Sequence, residues 1–147
     1  MARSFRVLPG HDHAVAVWTF NQVGCRPFLI NHAVGVINHD GLLIGAFIFS
    51  GYNGWDAELS LYSPRILSRA LVREIAVFAL KVLQVHRLTV KTRNAGLIRG
   101  LPKIGAVYEA ALHGYYGEDL LPENTAHQFV FRRRTLEILA KLDHSNH

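Results

Sequence analysis

Asp56, Glu58, Ser60 and Tyr62 alternate with the apolar Ala57, Leu59 and Leu61, so a strand here carries carboxylates and hydroxyls on one face. Directly after it come Ser63-Pro64-Arg65-Ile66-Leu67-Ser68-Arg69-Ala70 and a long stretch of helical apolar period. A strand that feeds a loop at a helix N-terminus presents free backbone N–H groups and the positive end of the helix dipole, a ready anion site. The backbone donors of Leu67, Ser68, Arg69 and Ala70 would hold a phosphate there, helped by the Ser68 hydroxyl and by charge-assisted bonds from Arg65 and Arg69. The same residues also permit a plainer helix start, with Ser63 as N-cap and Pro64 at the first helical position.

The elements that must position this segment read as follows. Ser4–Leu8 is a short strand closed by Pro9-Gly10, and His11–Val23 is a helix whose face carries Val15, Trp18, Thr19 and Gln22. Leu29–Ile37 and Leu42–Phe49 are apolar strands joined by Asn38-His39-Asp40-Gly41, where Asp-Gly signals a hairpin. Tyr52-Asn53-Gly54-Trp55 turns the chain into the polar-striped strand Asp56–Tyr62. Leu67–Gln84 is the clearest helix, and Arg87–Arg93 alternates Leu88 and Val90 against Thr89 and Lys91 as a strand. Asn94 stands where an N-cap would for a helix to about Lys103, which Pro102 should end or distort. Ala106–Leu112 and His127–Arg132 predict a final strand pair across a polar loop, and Arg133–Leu142 a terminal helix. The order predicts one α+β domain over residues 1–147, an α/β sandwich with a mixed, mostly antiparallel central sheet and helices on both faces. Its Asp56 to Arg93 strand–helix–strand unit should place two parallel strands side by side, connected right-handedly.

At 147 residues, half of them apolar, the chain has enough material for a core without covalent staples. Lys and Arg outnumber Asp and Glu by 16 to 11, nine histidines add charge on acidification, and most of the basic residues lie between Arg65 and Lys103. That surplus favours anionic partners, a polyphosphate cofactor or nucleic acid, and equally describes a solvated basic face. The lone Cys25 excludes an internal disulfide and reads as a buried small hydrophobe. No apolar run approaches about 18 residues and the N-terminus lacks a signal-peptide pattern, so a soluble cytoplasmic protein without a membrane partner is expected. Neither the histidine spacings nor Cys25 suggests a metal site, and no Gly-x-Ser-x-Gly turn supports a hydrolase.

The loop Arg65-x-x-Ser68-x-Ala70, on elements in this order, resembles the acyl-CoA loop of the GNAT superfamily of N-acyltransferases, whose usual pattern is Gln/Arg-x-x-Gly-x-Gly/Ala. Ser68 replaces the first glycine. Asn94 lies eleven residues before Gly105, the family spacing between an asparagine that closes a strand and the glycine of a Gly-Phe pair; here Ala106 follows. The resemblance spans about Ile30 to Phe131, and compact members of this kind are encoded by bacteriophages and bacteria.

The resemblance implies acetyl-CoA, or another acyl-CoA, as co-substrate and an amine acceptor, with no metal. Its pantetheine arm would pair with the strand before the loop, at Leu61 and Tyr62, and its pyrophosphate would sit at Arg65, Leu67, Ser68, Arg69 and Ala70, with Asn94 beyond. Direct attack by a neutral amine on the thioester needs a base and an oxyanion donor. Glu58 is the candidate base, directly or through water, with Asp56 second; as a plainer reading, either is a solvated or ion-paired carboxylate. A backbone amide near Leu61 would serve the oxyanion. The tyrosine that many members place seven residues after the asparagine, to protonate the departing thiolate, is Leu101 here. Tyr108, Tyr115 and Tyr116 are the candidates to replace it, Tyr108 first. The fold also suggests a homodimer through its final strands. Competing readings are a catalytically inactive GNAT-like module that binds nucleic acid or a host protein through its basic face, and a Mom-like nucleobase-modifying protein.

Overall fold

Alternation along Leu43–Ser50 (β3) sends Phe47 and Phe49 to one side of a sheet and Ala46 and Ile48 to the other, and all four are buried. A strand buried on both faces belongs in the middle of a layered fold. The computed structural model describes residues 5–62, 68–117 and 120–141. Within them run β1 (Phe5–Leu8), α1 (Asp12–Val23), β2 (His32–Asn38), β3, β4 (Asp56–Tyr62) and α2 (Arg69–Phe78). Then follow β5 (Arg87–Thr92), α3 (Ala95–Gly100), β6 (Val107–Leu112), β7 (Ala126–Arg132) and α4 (Arg133–Ala140). The strands form one sheet in the order β1-β2-β3-β4-β5-β7-β6, antiparallel except for the β4/β5 pair, which is parallel as expected of a strand–helix–strand unit.

Helices cover both faces. On one, Leu71 and Ile75 of α2 and Leu136 and Leu139 of α4 join Phe49, Leu59, Leu88 and Phe131 in the larger core, and α2 packs on α4. On the other, Val15, Ala16 and Phe20 of α1 pack on Ala33, Ala46 and Ile48, which covers β2 and β3. Truncating a fully buried side chain such as Phe49 removes about 3–5 kcal/mol at sites of this type, which makes the two cores the source of the sheet's rigidity.

The turns follow their residue chemistry. Asn38 Oδ1 accepts from the amides of Asp40 at 3.0 Å and Leu42 at 3.1 Å, and Gly41 takes the left-handed φ of 79° that the Asp-Gly step supplies. Asn53 Oδ1 likewise accepts from the amides of Trp55 at 2.9 Å and Asp56 at 2.8 Å, which aims β4 into the sheet.

Four expectations change. β2 begins at His32, not Leu29, whose side chain is 94% exposed. The long helix is α-helical only to Phe78; Ala79–Leu83 widens into a π-helical turn that Gln84 ends at a left-handed φ of 59°. The buried face of α1 is Val15, Ala16, Thr19 and Phe20, with Thr19 Oγ1 donating to the Val15 carbonyl at 2.8 Å, while Gln22 is exposed. Cys25 is exposed, because the chain after α1 crosses the surface before β2 begins. The proline effect is as expected: α3 stops at Gly100, and Pro102–Ile104 forms a separate 3-10 turn. The final strands do pair, but β7 lies against β5 and carries β6 to the sheet edge.

Candidate active site

The parallel ladder between β4 and β5 ends early. It joins Asp56–Leu59 to Arg87–Val90 and stops. Beyond that point β4 continues to Tyr62 paired only with β3, and β5 continues to Thr92 paired only with β7. The sheet therefore splits into two diverging halves, and the β5-facing edge of Ser60, Leu61 and Tyr62 has no ladder partner. A cleft of about 500 Å³ opens in the wedge. Leu59, Val90 and Leu97 form its floor, Ser60, Tyr62, Thr92 and Asn94 contribute polar groups, and Thr19, Phe20 and Val23 of α1 close one side. Trp18 braces Tyr62 edge-on, with ring centres 5.7 Å apart.

The N-terminus of α2 follows β4. Ser68 is its N-cap, in extended conformation, and its Oγ accepts from the Leu71 amide at 3.3 Å. The first turn holds no acidic residue that would neutralise the positive end of the helix. Arg69 and Ala70 begin the helix; Arg65 and Leu67, with Ser63 and Pro64, lie outside the described residues. Asn94 caps α3 through Oδ1, which accepts from the Leu97 amide at 3.0 Å, and it also borders the cleft.

The carboxylates of the β4 stripe find their partners on the neighbouring β5. Thr89 Oγ1 donates to both oxygens of Asp56, at 3.1 and 3.2 Å, and the Arg87 guanidinium lies 3.5 Å away. Arg87 also donates to Glu109 of β6 at 2.7 Å, and Gln128 of β7 donates to the same oxygen at 2.9 Å. The bond from Arg87, then the one from Gln128, holds the Glu109 carboxyl below its ordinary range, and reciprocally Glu109 raises the Arg87 guanidinium. Asp56 is thus embedded in a network that spans four strands. Glu58 makes a simpler contact, with Lys91 Nζ 3.2 Å from Oε1.

The tyrosines separate. Tyr108 sits on β6, which β7 separates from β5; its hydroxyl is 3.0 Å from His127 Nδ1 and its ring meets Phe129, away from the residues that line the cleft. Tyr116 does line the cleft, its ring under Arg93 at 4.5 Å, while Tyr115 lies under Lys91 at 5.4 Å. Burial, then the neighbouring Tyr115, raises the Tyr116 hydroxyl above the ordinary tyrosine value, although Arg93 pulls it back, so Tyr116 is a protonated donor at neutral pH. Leu101 is 1% exposed inside the larger core. Gly105 takes a φ of 99°, and a Cβ there would meet Thr135 Cγ2 at 2.7 Å, so the local backbone demands glycine. Among the described residues no three His, Cys, Asp or Glu side chains cluster as metal ligands, and no helix is long and apolar enough to cross a membrane.

The sequence points to the β4 stripe and Asn94 but not to the diagonal contacts that Thr89 and Lys91 make with Asp56 and Glu58. The signal was present in the alternation of β5, once a parallel register is assumed.

No family model and no curated protein matches this chain. Solved structures do. A mutant of spermidine N-acetyltransferase SpeG from Vibrio cholerae aligns at a TM-score of 0.70 and 11% identity, over 90% of this chain and 96% of that one. A chimera of the Vibrio cholerae enzyme with hSSAT gives a TM-score of 0.72 at 10% identity, over 92% and 99%. The dodecameric Vibrio cholerae enzyme in an intermediate state gives 0.69 at 12%, over 88% and 94%. At such identities the likeness is one of fold, extending over nearly the whole chain.

Proposed function

We propose, from the GNAT fold that the chain shares with these acetyltransferases, that it moves an acyl group from acetyl-CoA to an amine. The observation that carries this reading is the split between β4 and β5, which leaves an unpaired strand edge inside a cleft, with the uncompensated N-terminus of α2 as the next described element along the chain. An extended amide-bearing arm can pair with the edge at Ser60, Leu61 and Tyr62, much as a short strand would. A pyrophosphate can then take the free donors of Arg69 and Ala70 at the start of α2. CoA has both parts at the required order along its length, and its thioester would lie near Glu58.

In the reaction the amine nitrogen attacks the thioester carbonyl carbon, and the new C–N bond forms as the carbonyl becomes an oxyanion. A backbone amide near Leu61 stabilises that oxyanion. Glu58 takes the proton lost by the amine, directly or through water, with Lys91 orienting its carboxylate. Asp56, already committed to Thr89 and Arg87, serves as a fixed anion behind it. The C–S bond then breaks and the thiolate takes a proton. Tyr116 suits that step better than Tyr108, since it lines the cleft.

Calorimetric titration with acetyl-CoA tests the binding half; saturable heat is expected, and none at millimolar cofactor would end the proposal. Glu58→Gln should leave that binding within about twofold and lower acyl transfer by at least about a hundredfold. Full activity in that variant would remove Glu58 as base. Tyr116→Phe should lower turnover with little change in the KM for acetyl-CoA, and an unchanged turnover would return the acid role to water or another hydroxyl.

A further inference from the structure

The charges around the cleft bear on which amine the site accepts. Among the described residues that line it, two carry formal charge, Lys91 and Arg93, and both are cations. Lys91 is neutralised by Glu58 at 3.2 Å. Arg93 is not paired with a carboxylate among the described residues; it donates to the Glu123 backbone carbonyl at 3.1 Å and lies 4.5 Å over the Tyr116 ring. That leaves the Glu58, Lys91 and Arg93 group with one net positive charge at the cleft wall. Of the other described carboxylates, Asp56 is held by Thr89 and Arg87 and Glu109 by Arg87 and Gln128, while Glu123, whose carbonyl accepts from Arg93, is exposed and is not among the residues that line the cleft.

A polyamine entering such a cleft would carry ammonium groups toward a guanidinium and find no carboxylate among the described residues that line it. An amine with a carboxylate or phosphate meets the reverse situation. A guanidinium held over an aromatic ring, with part of its donor fork unused, is a pre-organised receptor for an oxyanion. Phe20, Val23 and Phe28 also line the cleft and carry no charge that would compete for that group.

Resting on the acyltransferase reading, we propose that the acceptor is a small primary amine bearing an anionic group, and that Arg93 is the residue that holds the anion. The transfer balances as above: C–N forms and C–S breaks, the amine's proton passes to Glu58, and Tyr116 protonates the thiolate and is reprotonated through solvent as Glu58 gives its proton up. Arg93 touches the acceptor's anion, not the reacting atoms.

The test offers four amines with acetyl-CoA to the full chain and follows free thiol: spermidine, butylamine, β-alanine and O-phosphoethanolamine. The expected result is a kcat/KM at least about tenfold higher for one anionic amine than for butylamine, with spermidine poorest, the size of one charge-assisted contact. β-Alanine against O-phosphoethanolamine tells carboxylate from phosphate. Arg93→Gln should raise the KM of the preferred acceptor about tenfold, leave the KM for acetyl-CoA within twofold, and collapse the preference over butylamine. Arg93→Lys, which keeps the charge, should restore part of it. Spermidine or butylamine as best substrate, acetylation of none of the four, or an Arg93→Gln effect confined to acetyl-CoA would each overturn the proposal. Calorimetry with acetyl-CoA on the same preparation separates the two readings: binding with the wrong acceptor preference sinks only this one, and no binding sinks the acyltransferase reading itself.

Discussion

Glu109 shows how the polar stripe acts at the scale of one residue. Its carboxyl accepts from Arg87 and from Gln128, and those bonds hold it below the ordinary value of 4.5. A carboxyl whose folded value is lowered contributes stability above its unfolded value, and that contribution is lost as pH falls through the folded value. The matching upward shift of Arg87, already a strong base, has no consequence in the working range. Glu109→Gln should therefore lower Tm relative to the parent above about pH 5, and the gap should close as pH falls toward 3. Because the side chain is partly exposed, the gap should also shrink in about 0.5 M salt. A Tm difference that is the same at every pH would mean that packing, not charge, explains the effect.

At the scale of elements, the joint between the 3-10 turn Pro102–Ile104 and β6 depends on Gly105. Its φ of 99° is costly for any L side chain, and the space its Cβ would need is taken by Thr135 Cγ2 of α4 at 2.7 Å. Gly105→Ala should cost about 1–3 kcal/mol from the backbone alone, with the overlap adding to it, and Tm should fall by several degrees. Adding Thr135→Ser removes the overlapping methyl and should recover only the overlap share; a double variant no more stable than the single one would show that this contact is not the cause. Such local demands were partly legible in the sequence. Strict alternation announced β4, the Asp-Gly step announced the hairpin, and Asn94 announced a helix start, because each depends on neighbours in the chain. The π-helical turn was hidden, since its apolar residues continue the α-helical period until Gln84 turns left-handed. The contacts from Lys91 to Glu58 and from Thr89 to Asp56 were hidden too, because they exist only once β4 and β5 lie parallel in one register. Tyr116 could not be ranked above Tyr108, since the loop's return to the cleft is set by tertiary contacts such as its amide bond to the Asn124 carbonyl.

At the scale of the whole molecule, the sheet is two antiparallel halves joined by one short parallel ladder, and the wedge where they part is its least supported region. Each half is fixed by its own neighbours, β4 by β3 and β5 by β7, so the split persists without a ligand to hold it open. A cofactor arm that fills it would bridge the halves and stabilise the fold as a unit. At a concentration about a hundred times Kd the gain is about 2.7 kcal/mol, which for a chain of this size raises Tm by about 5–11 °C. The gain should also have an address. Amides of Ser60, Leu61 and Tyr62 that do not bond to β3 should exchange rapidly in the free protein and slow on addition of acetyl-CoA, whereas those of β1 and β2, at the far edge, should change only as global stability does. Hydrogen exchange read residue by residue checks this, with desulfo-CoA as the probe that keeps the arm and pyrophosphate but lacks the reactive sulfur. A thermal shift without added protection at Ser60–Tyr62 would put the cofactor elsewhere on the basic surface. Protection confined to that edge and to the start of α2 would locate binding in the wedge before any acceptor is known.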